Sequence, residues 1–222
     1  MARNRRNLLI YHFHDRALAA ALARYATGRL IDIGCATKPY EVMARPFVAE
    51  HVGLDREQPF NSQARVDLVG TAYEIPTPDA SFDTAMSTAA LEHLAEPEQA
   101  IRECFRVLRD GSAAIYTVPF FWHLHSAPWD YYRFTRFGLQ HLFEKAGFEV
   151  VELNALSGFW VTFGQLFVYY LARADRYRLI RASGLVTVAA LLVQGLAYLL
   201  ERIDRAEDWT WMYLVVARKP AG

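Results

Sequence analysis

Short apolar runs and amphipathic runs take turns along the chain. "RLIDIG" at 29–34 is a brief buried-type run that ends at a turn, the pattern of a strand covered on both faces. "HVGLD" (51–55), "RVDLVG" (65–70), "FDTAMS" (82–87), "SAAIYTVPF" (112–120) and "FEVVEL" (148–153) repeat it, and "WTWMYLVVARK" (209–219) alternates like a last strand. Helical patterns separate them. "PEQAIRECFRVLRDG" (97–111) is the clearest: Pro97 in the first turn, acids early, arginines late, Ile101, Cys104, Phe105 and Leu108 on one face, and Gly111 as the expected stop. "TRFGLQHLFEKAG" (135–147) offers Thr135 as a cap, Leu139, Leu142, Phe143 and Ala146 inward, and Gly147 as a stop. "KPYEVMARPF" begins a further helix near its proline, and residues 1–27 read as an amphipathic helix stopped at Gly28.

Strands separated by helices predict an α/β fold, a doubly wound and mostly parallel sheet. Ligands of such sheets bind beyond the carboxyl ends of the strands, so the residues just after each strand are the ones to inspect. A single domain is expected: an N-terminal helix (1–27), a cofactor-binding core (28–153), a hydrophobic helical insertion (154–204) and a final strand (209–218).

The insertion breaks the pattern. Residues 154–172 and 182–200 are two uncharged stretches near the roughly 20 residues that cross a bilayer. Arg173, Arg176, Arg178 and Arg181 lie between them and would have to be translocated by a spanning hairpin. Three arrangements fit: helices packed on the domain or on a second protomer, helices lying in a membrane surface, and a spanning hairpin. Arg3, Arg5 and Arg6 at the start are read as solvated or close to lipid phosphates.

Composition narrows the classes. Lys+Arg 24 against Asp+Glu 24 gives no broad electrostatic footprint for nucleic acid, and 53% hydrophobic residues suffice for a packed core. The two cysteines, Cys35 and Cys104, form neither a disulfide framework nor a zinc pattern and read as small core residues in a reducing cytoplasm. The expected location is cytoplasmic, at the inner face of the membrane if the insertion touches lipid.

The loop after the first strand carries the candidate chemistry. Asp32-Ile33-Gly34 ends that strand and Asp55 ends the second, where an acid suits a ribose diol. Gly34 and Ala36 supply small residues where a ligand must approach backbone. Lys38-Pro39 interrupts the glycine turn a pyrophosphate wants, which disfavours an NAD(P)-dependent oxidoreductase. Asp32 near an ammonium group and Lys38 near a carboxylate would suit an amino-acid end.

In order, "LIDIGCATKPY", "VGLD", "SFD", "LEHL" and "EPEQAIRECFRVLRDG" resemble the class I S-adenosylmethionine-dependent methyltransferases, type 11 group. "HSAPWDYYRFTRFGLQHLFEKAGFEV" is similar to a bacterial subgroup often associated with cell-surface polysaccharide or lipid pathways. The resemblance covers about residues 28–153 and the last strand. It implies a Rossmann-like sheet of seven strands with helices on both faces and the last strand antiparallel. It also implies S-adenosyl-L-methionine as cofactor. Asp32 and the turn Gly34–Ala36 would face its methionine part, with Ser87 and Thr88 beside it, Asp55 would hold the ribose hydroxyls, and Thr71 and Ala72 would approach the adenine. Two positions depart from the family: Ala36 replaces a glycine, and Thr71 replaces a frequent acid. The Lys-Pro-Tyr ending is common in the subgroup.

The second constellation is "PFFWHLHSAPWDYYRFT" (119–135), after the fifth strand. Its aromatics suit an acceptor pocket that excludes water, with Phe120, Trp129, Tyr132 and Arg133 as substrate-binding candidates. A hydroxyl acceptor must lose a proton, and His125, also matched by the subgroup, is the candidate base, with Asp130 or Arg133 orienting it. The competing assignment makes Asp130–Arg133 a salt bridge that holds the loop. His93 in "LEHL" is a further catalytic candidate or a structural residue, and Glu92 reads as a loop hydrogen-bonding residue. No metal is expected: His123 and His125 lack evident carboxylate partners. The expected function is in-line methyl transfer to a small-molecule or lipid- or saccharide-linked acceptor at oxygen. The alternative is a non-catalytic membrane-associated or scaffolding protein. The partners expected are the acceptor, no nucleic acid, and through 154–204 a peripheral membrane contact or a homodimer.

Overall fold

Each expected strand forms: β1 (Arg29–Ile33), β2 (Glu50–Asp55), β3 (Leu68–Val69), β4 (Phe82–Thr88), β5 (Leu108–Pro119), β6 (Glu149–Ala155) and β7 (Met212–Arg218). They make one sheet in the order β3-β2-β1-β4-β5-β7-β6. The computed structural model describes residues 4–56 and 65–222, so Arg3 lies outside the described residues. β1 pairs in parallel with β2 and β4, β2 with β3, and β4 with β5. β7 runs antiparallel to β5: Gly111 N donates to Lys219 O at 2.9 Å, while Phe120 N, just past the end of β5, donates to Trp211 O at 2.8 Å. The mixed, mostly parallel sheet with a reversed last strand is therefore borne out.

Leu30, Ile31, Ala85, Met86, Ala114, Ile115, Val215 and Val216 are wholly buried, as strands covered on both faces require. The helices are α1 (Leu8–Tyr25), α2 (Glu41–Ala44), α3 (Pro97–Val107), α4 (Arg136–Lys145), α5 (Phe159–Ala172), α6 (Arg178–Ser183) and α7 (Leu185–Glu201). Thr135 caps α4 by accepting a bond from Gly138 N at 3.1 Å, and Gly147 follows with φ +103. The end of α3 differs from expectation. The helix stops at Val107, not Gly111, because buried Leu108 already pairs with Phe82 across the sheet.

The chain divides into two compact units. One is the sheet unit: 18–119, 124–154 and 213–222. The other, mainly helical, comprises 1–17, 120–123 and 155–212. The hydrophobic insertion thus becomes α5, α6 and α7 of the helical unit.

Within that unit α7 has two distinct faces. Val186, Ala190, Gln194, Ala197 and Glu201 are buried, whereas Leu185, Val188, Leu192, Leu196 and Leu199 are each more than half exposed. Gly164 of α5 lets the two helices approach closely: a Cβ there would stand 2.7 Å from Ala197 Cβ. Gln165, Gln194 and Glu201 of the insertion face inward and bond. Gln165 Nε2 donates to Arg6 O at 2.7 Å, and Gln194 Nε2 to Arg5 O at 3.1 Å. Glu201 caps the start of α5: its carboxylate accepts from Gly158 N and, at 3.1 Å, from Val161 N. An anion suits the positive end of the helix dipole, and Gly158 has no room for a side chain because a Cβ there would stand 2.8 Å from Ala206 N.

Among the described residues no helix is long and apolar enough to cross a membrane. α5 has 14 residues and α7 has 17, and even the longer spans only about 26 Å against a hydrocarbon core of about 30 Å. The spanning hairpin is thereby set aside.

Glu201→Ala is expected to destabilise the protein by about 2–3 kcal/mol, because two helix-start N–H groups lose a charged acceptor. Urea denaturation of both proteins measures it, and an unchanged midpoint would show that the cap contributes nothing.

Candidate functional site

Beyond the carboxyl ends of β1, β2 and β4 lies a cavity of about 530 Å³, wholly within the sheet unit. Its floor is the loop after β1. That loop turns through three left-handed residues: Gly34 (φ +78), Ala36 (φ +44) and Lys38 (φ +52). A non-glycine residue in this region costs about 1–2 kcal/mol, so the surroundings must hold it. They do so from β2. Leu54 O accepts from Gly34 N at 3.0 Å and from Cys35 N at 3.1 Å, and Asp55 Oδ2 accepts from Ala36 N at 3.0 Å. Gly34 is required twice over: besides its φ, a Cβ would sit 2.8 Å from Ala90 Cβ.

Six of the nine predicted cofactor positions line this cavity: Gly34, Ala36, Asp55, Thr71, Ala72 and Thr88. The other three do not. Asp32 is buried and faces His51, whose Nε2 lies 3.1 Å from Asp32 Oδ2; burial raises its pKa. Lys38 is buried too, donating to His51 O at 3.0 Å and pairing with Asp67, which also accepts from Gly53 N at 2.7 Å. Its ammonium therefore braces the loop from behind. Ser87 Oγ donates to Ile33 O at 2.9 Å and ties β4 to β1. Cys35 is buried behind the loop, and burial pushes its thiol up to about 12.

The opposite wall is a 3-10 turn, Leu91–His93, with the loop 124–135. His93 lines the cavity, and its Nδ1 is 2.8 Å from Trp129 O. Trp129 lines it as well, with the Arg56 guanidinium over its ring at 5.2 Å. His125 and Asp130 are not part of the lining, but His125 lies against His93, ring centroids 4.9 Å apart. Asp130 makes a bidentate ion pair with Arg133, at 2.6 and 2.8 Å, and accepts from His125 N at 2.9 Å. The Arg133 charge holds the Asp130 carboxyl well below the usual range. Tyr132 donates through its hydroxyl to Ala95 O at 3.0 Å. Phe120 falls in the helical unit, where its ring meets Phe121 at 4.4 Å.

Glu92 corrects the sequence reading. Its side chain is 1% exposed, and neither carboxyl oxygen has a hydrogen-bond partner. Burial raises the carboxyl to about 8. Its backbone explains why it stays there: Glu92 O accepts from Tyr131 N at 3.0 Å and Tyr132 N at 3.3 Å, locking turn and loop together. Sequence reasoning also passed over Ala89, Ala90, Tyr73 and Ser126 of the lining. Small residues beside a strand end were the only signal for the two alanines.

Residues 31–116 match the family model described as a methyltransferase domain. Over those residues the chain is similar to methyltransferase domains. It is 31% identical over 105 residues to a Mycolicibacterium smegmatis protein named "probable S-adenosylmethionine-dependent methyltransferase", covering 44% of this chain and 41% of that protein. It is 32% identical over 107 residues to 27-O-demethylrifamycin SV methyltransferase of Amycolatopsis mediterranei, covering 42% and 39%. The chain thus spans about two fifths of the length of these relatives. Among solved structures, that of the cyclase SpnF superposes with TM-score 0.61 at 24% identity, covering 93% of this chain and 81% of that one. That likeness shows the fold, which is the class I methyltransferase sheet.

The similarity to methyltransferase domains implies S-adenosylmethionine as methyl donor. The residues present fit it: a backbone cradle that a Cβ at Gly34 would fill, and a carboxylate at the end of β2. Gly34→Ala is expected to cost about 2 kcal/mol and to close the cradle. Thermal melting reads the first effect and calorimetric titration with S-adenosylhomocysteine the second; an alanine variant that binds normally would refute the cradle.

Proposed function

We propose that this chain transfers a methyl group from S-adenosylmethionine to an oxygen of a small-molecule, lipid-linked or saccharide-linked acceptor. The observation that carries this reading is the single cavity that gathers Gly34, Ala36, Asp55, Thr71, Ala72 and Thr88 from four separate segments. The bound cofactor supplies a methyl group activated by its sulfonium. The chain's own residues position, desolvate and move a proton. Gly34 and Ala36 present bare backbone to the ligand. Asp55 has the remaining lone pairs to accept from a ribose diol while it holds Ala36 N. Trp129, Tyr131 and Leu94 give the acceptor side an apolar wall that limits water. The expected base, His125, is not in the lining; His93, the further catalytic candidate, lines the cavity and takes the role of base, with His125 against its ring and Asp130 accepting from the His125 backbone N.

Titration calorimetry with S-adenosylmethionine and its demethylated product tests the reading. Saturable heat is expected for the wild type, and Asp55→Asn should weaken binding about 10–100-fold, the loss of one charged acceptor. No saturable heat in the wild type would overturn the enzyme reading and leave the scaffold.

A second proposal concerns the helical unit. We infer that the exposed stripe Leu185, Val188, Leu192, Leu196 and Leu199 of α7 lies against an anionic membrane surface. Exposed Arg173, Arg176, Arg178 and Arg181 of the same unit supply charges that suit lipid phosphates. The wild type is expected to float with phosphatidylserine-containing vesicles, less so at high salt, and the Leu192→Glu/Leu196→Glu variant to remain in solution. Equal flotation of both, or a wild-type dimer in sedimentation that this variant breaks, would overturn the membrane reading; the latter would assign the stripe to a second copy.

A further inference from the structure

Three metal-ligating side chains converge beside the cavity. Glu92, His93 and His125 each offer a donor atom, and these donors all lie within 4.8 Å of one another. Glu92 Oε1 stands 3.8 Å from His93 Nε2 and 3.9 Å from His125 Nε2. Two donors bound to one ion at about 2.1 Å each are at most about 4.2 Å apart, so both separations already fall inside that limit. The buried carboxyl has no hydrogen-bond partner for either oxygen, although a charged group in such a place requires one.

The outer group at His93 is arranged as it is around bound ions. Trp129 O can only accept, so His93 Nδ1, 2.8 Å away, carries a proton, and Nε2 is the ring atom that faces Glu92. His125 Nδ1 lies 3.4 Å from both Asp130 Oδ2, which would accept from it, and Arg133 Nη2, which would donate to it; an ion on Nε2 selects the first arrangement. The two imidazoles, with their Nε2 atoms facing one carboxylate, form a set of two nitrogens and one oxygen. That set suits a first-row divalent ion such as Mn²⁺, Fe²⁺, Co²⁺ or Zn²⁺, with open positions for water or a substrate oxygen.

We propose that Glu92, His93 and His125 bind one divalent transition-metal ion in the wall of the cavity. The sequence reading looked for a carboxylate near His123 and His125 in the chain; the fold brings one from the end of β4 instead. Bound there, an ion would polarise a hydroxyl that enters past His93 and lower its pKa, and the class of ligand it favours is an alcohol or phenol oxygen. In that case His93 and His125 act as ligands and the metal-bound oxygen needs no separate base of high pKa. The ion site does not depend on the methyl-transfer reading, since it is tested with metal alone.

The test is titration of the full chain, stripped with chelator, with Co²⁺ and Zn²⁺, read by calorimetry and by the visible absorption of the cobalt form. One equivalent of each is expected to bind. Glu92→Gln, His93→Ala and His125→Ala should each weaken binding at least tenfold and alter the cobalt spectrum. His141→Ala, an exposed histidine of α4, serves as control and should change neither. Circular dichroism establishes that each variant is folded, and Glu92→Gln retains the shape of the side chain without a buried charge. Absence of stoichiometric binding by the wild type, or binding that survives in folded Glu92→Gln, would overturn the proposal.

Discussion

The carboxylate of Asp55 and the carbonyl of Leu54 hold the loop after β1 in a conformation that its own sequence disfavours. Gly34, Ala36 and Lys38 all have positive φ, and only one is glycine. The strain is tolerable because the end of β2 binds three consecutive N–H groups, of Gly34, Cys35 and Ala36. Lys38 fastens the far side through His51 O and Asp67. With the loop so held, the cavity has a floor of bare backbone; without it, Asp55, Thr71 and Thr88 would surround nothing defined. The methyl of Ala36, which looks like a defect beside a glycine, is accommodated because its neighbours fix the turn.

Two buried glutamates show how the same side chain takes opposite parts. Glu201 meets the N–H groups at the start of α5, and its charge is used in binding two elements of the helical unit. Glu92 meets none, and burial lifts its pKa to about 8. A satisfied buried carboxylate contributes to the fold, whereas an unsatisfied one lowers stability and is tolerated where it serves chemistry. The difference lies in backbone placement. Glu92 is held by its own carbonyl, which accepts from Tyr131 and Tyr132, so its carboxyl is carried into the wall irrespective of partners.

Helices α5 and α7 bury polar groups and expose apolar ones. Gln165, Gln194 and Glu201 are buried and bonded to backbone, while large aliphatic residues of α7 are exposed. Hydropathy along 154–204 could not separate a membrane span from this arrangement, because the sum over residues is the same whichever face points inward. Helix length decided against the span.

The sequence by itself determined the alternation of strands and helices, the parallel sheet and its switch-point loop, the cap at Thr135, and part of the cavity lining. These follow from periodicity and local turn chemistry, which act over a few residues. The reversed direction of β7 came with the family resemblance rather than from the pattern. Tertiary structure alone decided the rest. Asp32, Lys38 and Ser87 look like ligand contacts in the chain, yet each points into protein, because their direction depends on His51, Asp67 and Ile33, residues brought there by neighbouring strands. Glu92 and His125 lie 33 positions apart in the sequence, and only the loop's return across the end of β4 places their side chains together. Spacing along a chain reports which residues share an element; which residues share a site depends on closures over long separations, and those are settled only when the sheet is assembled.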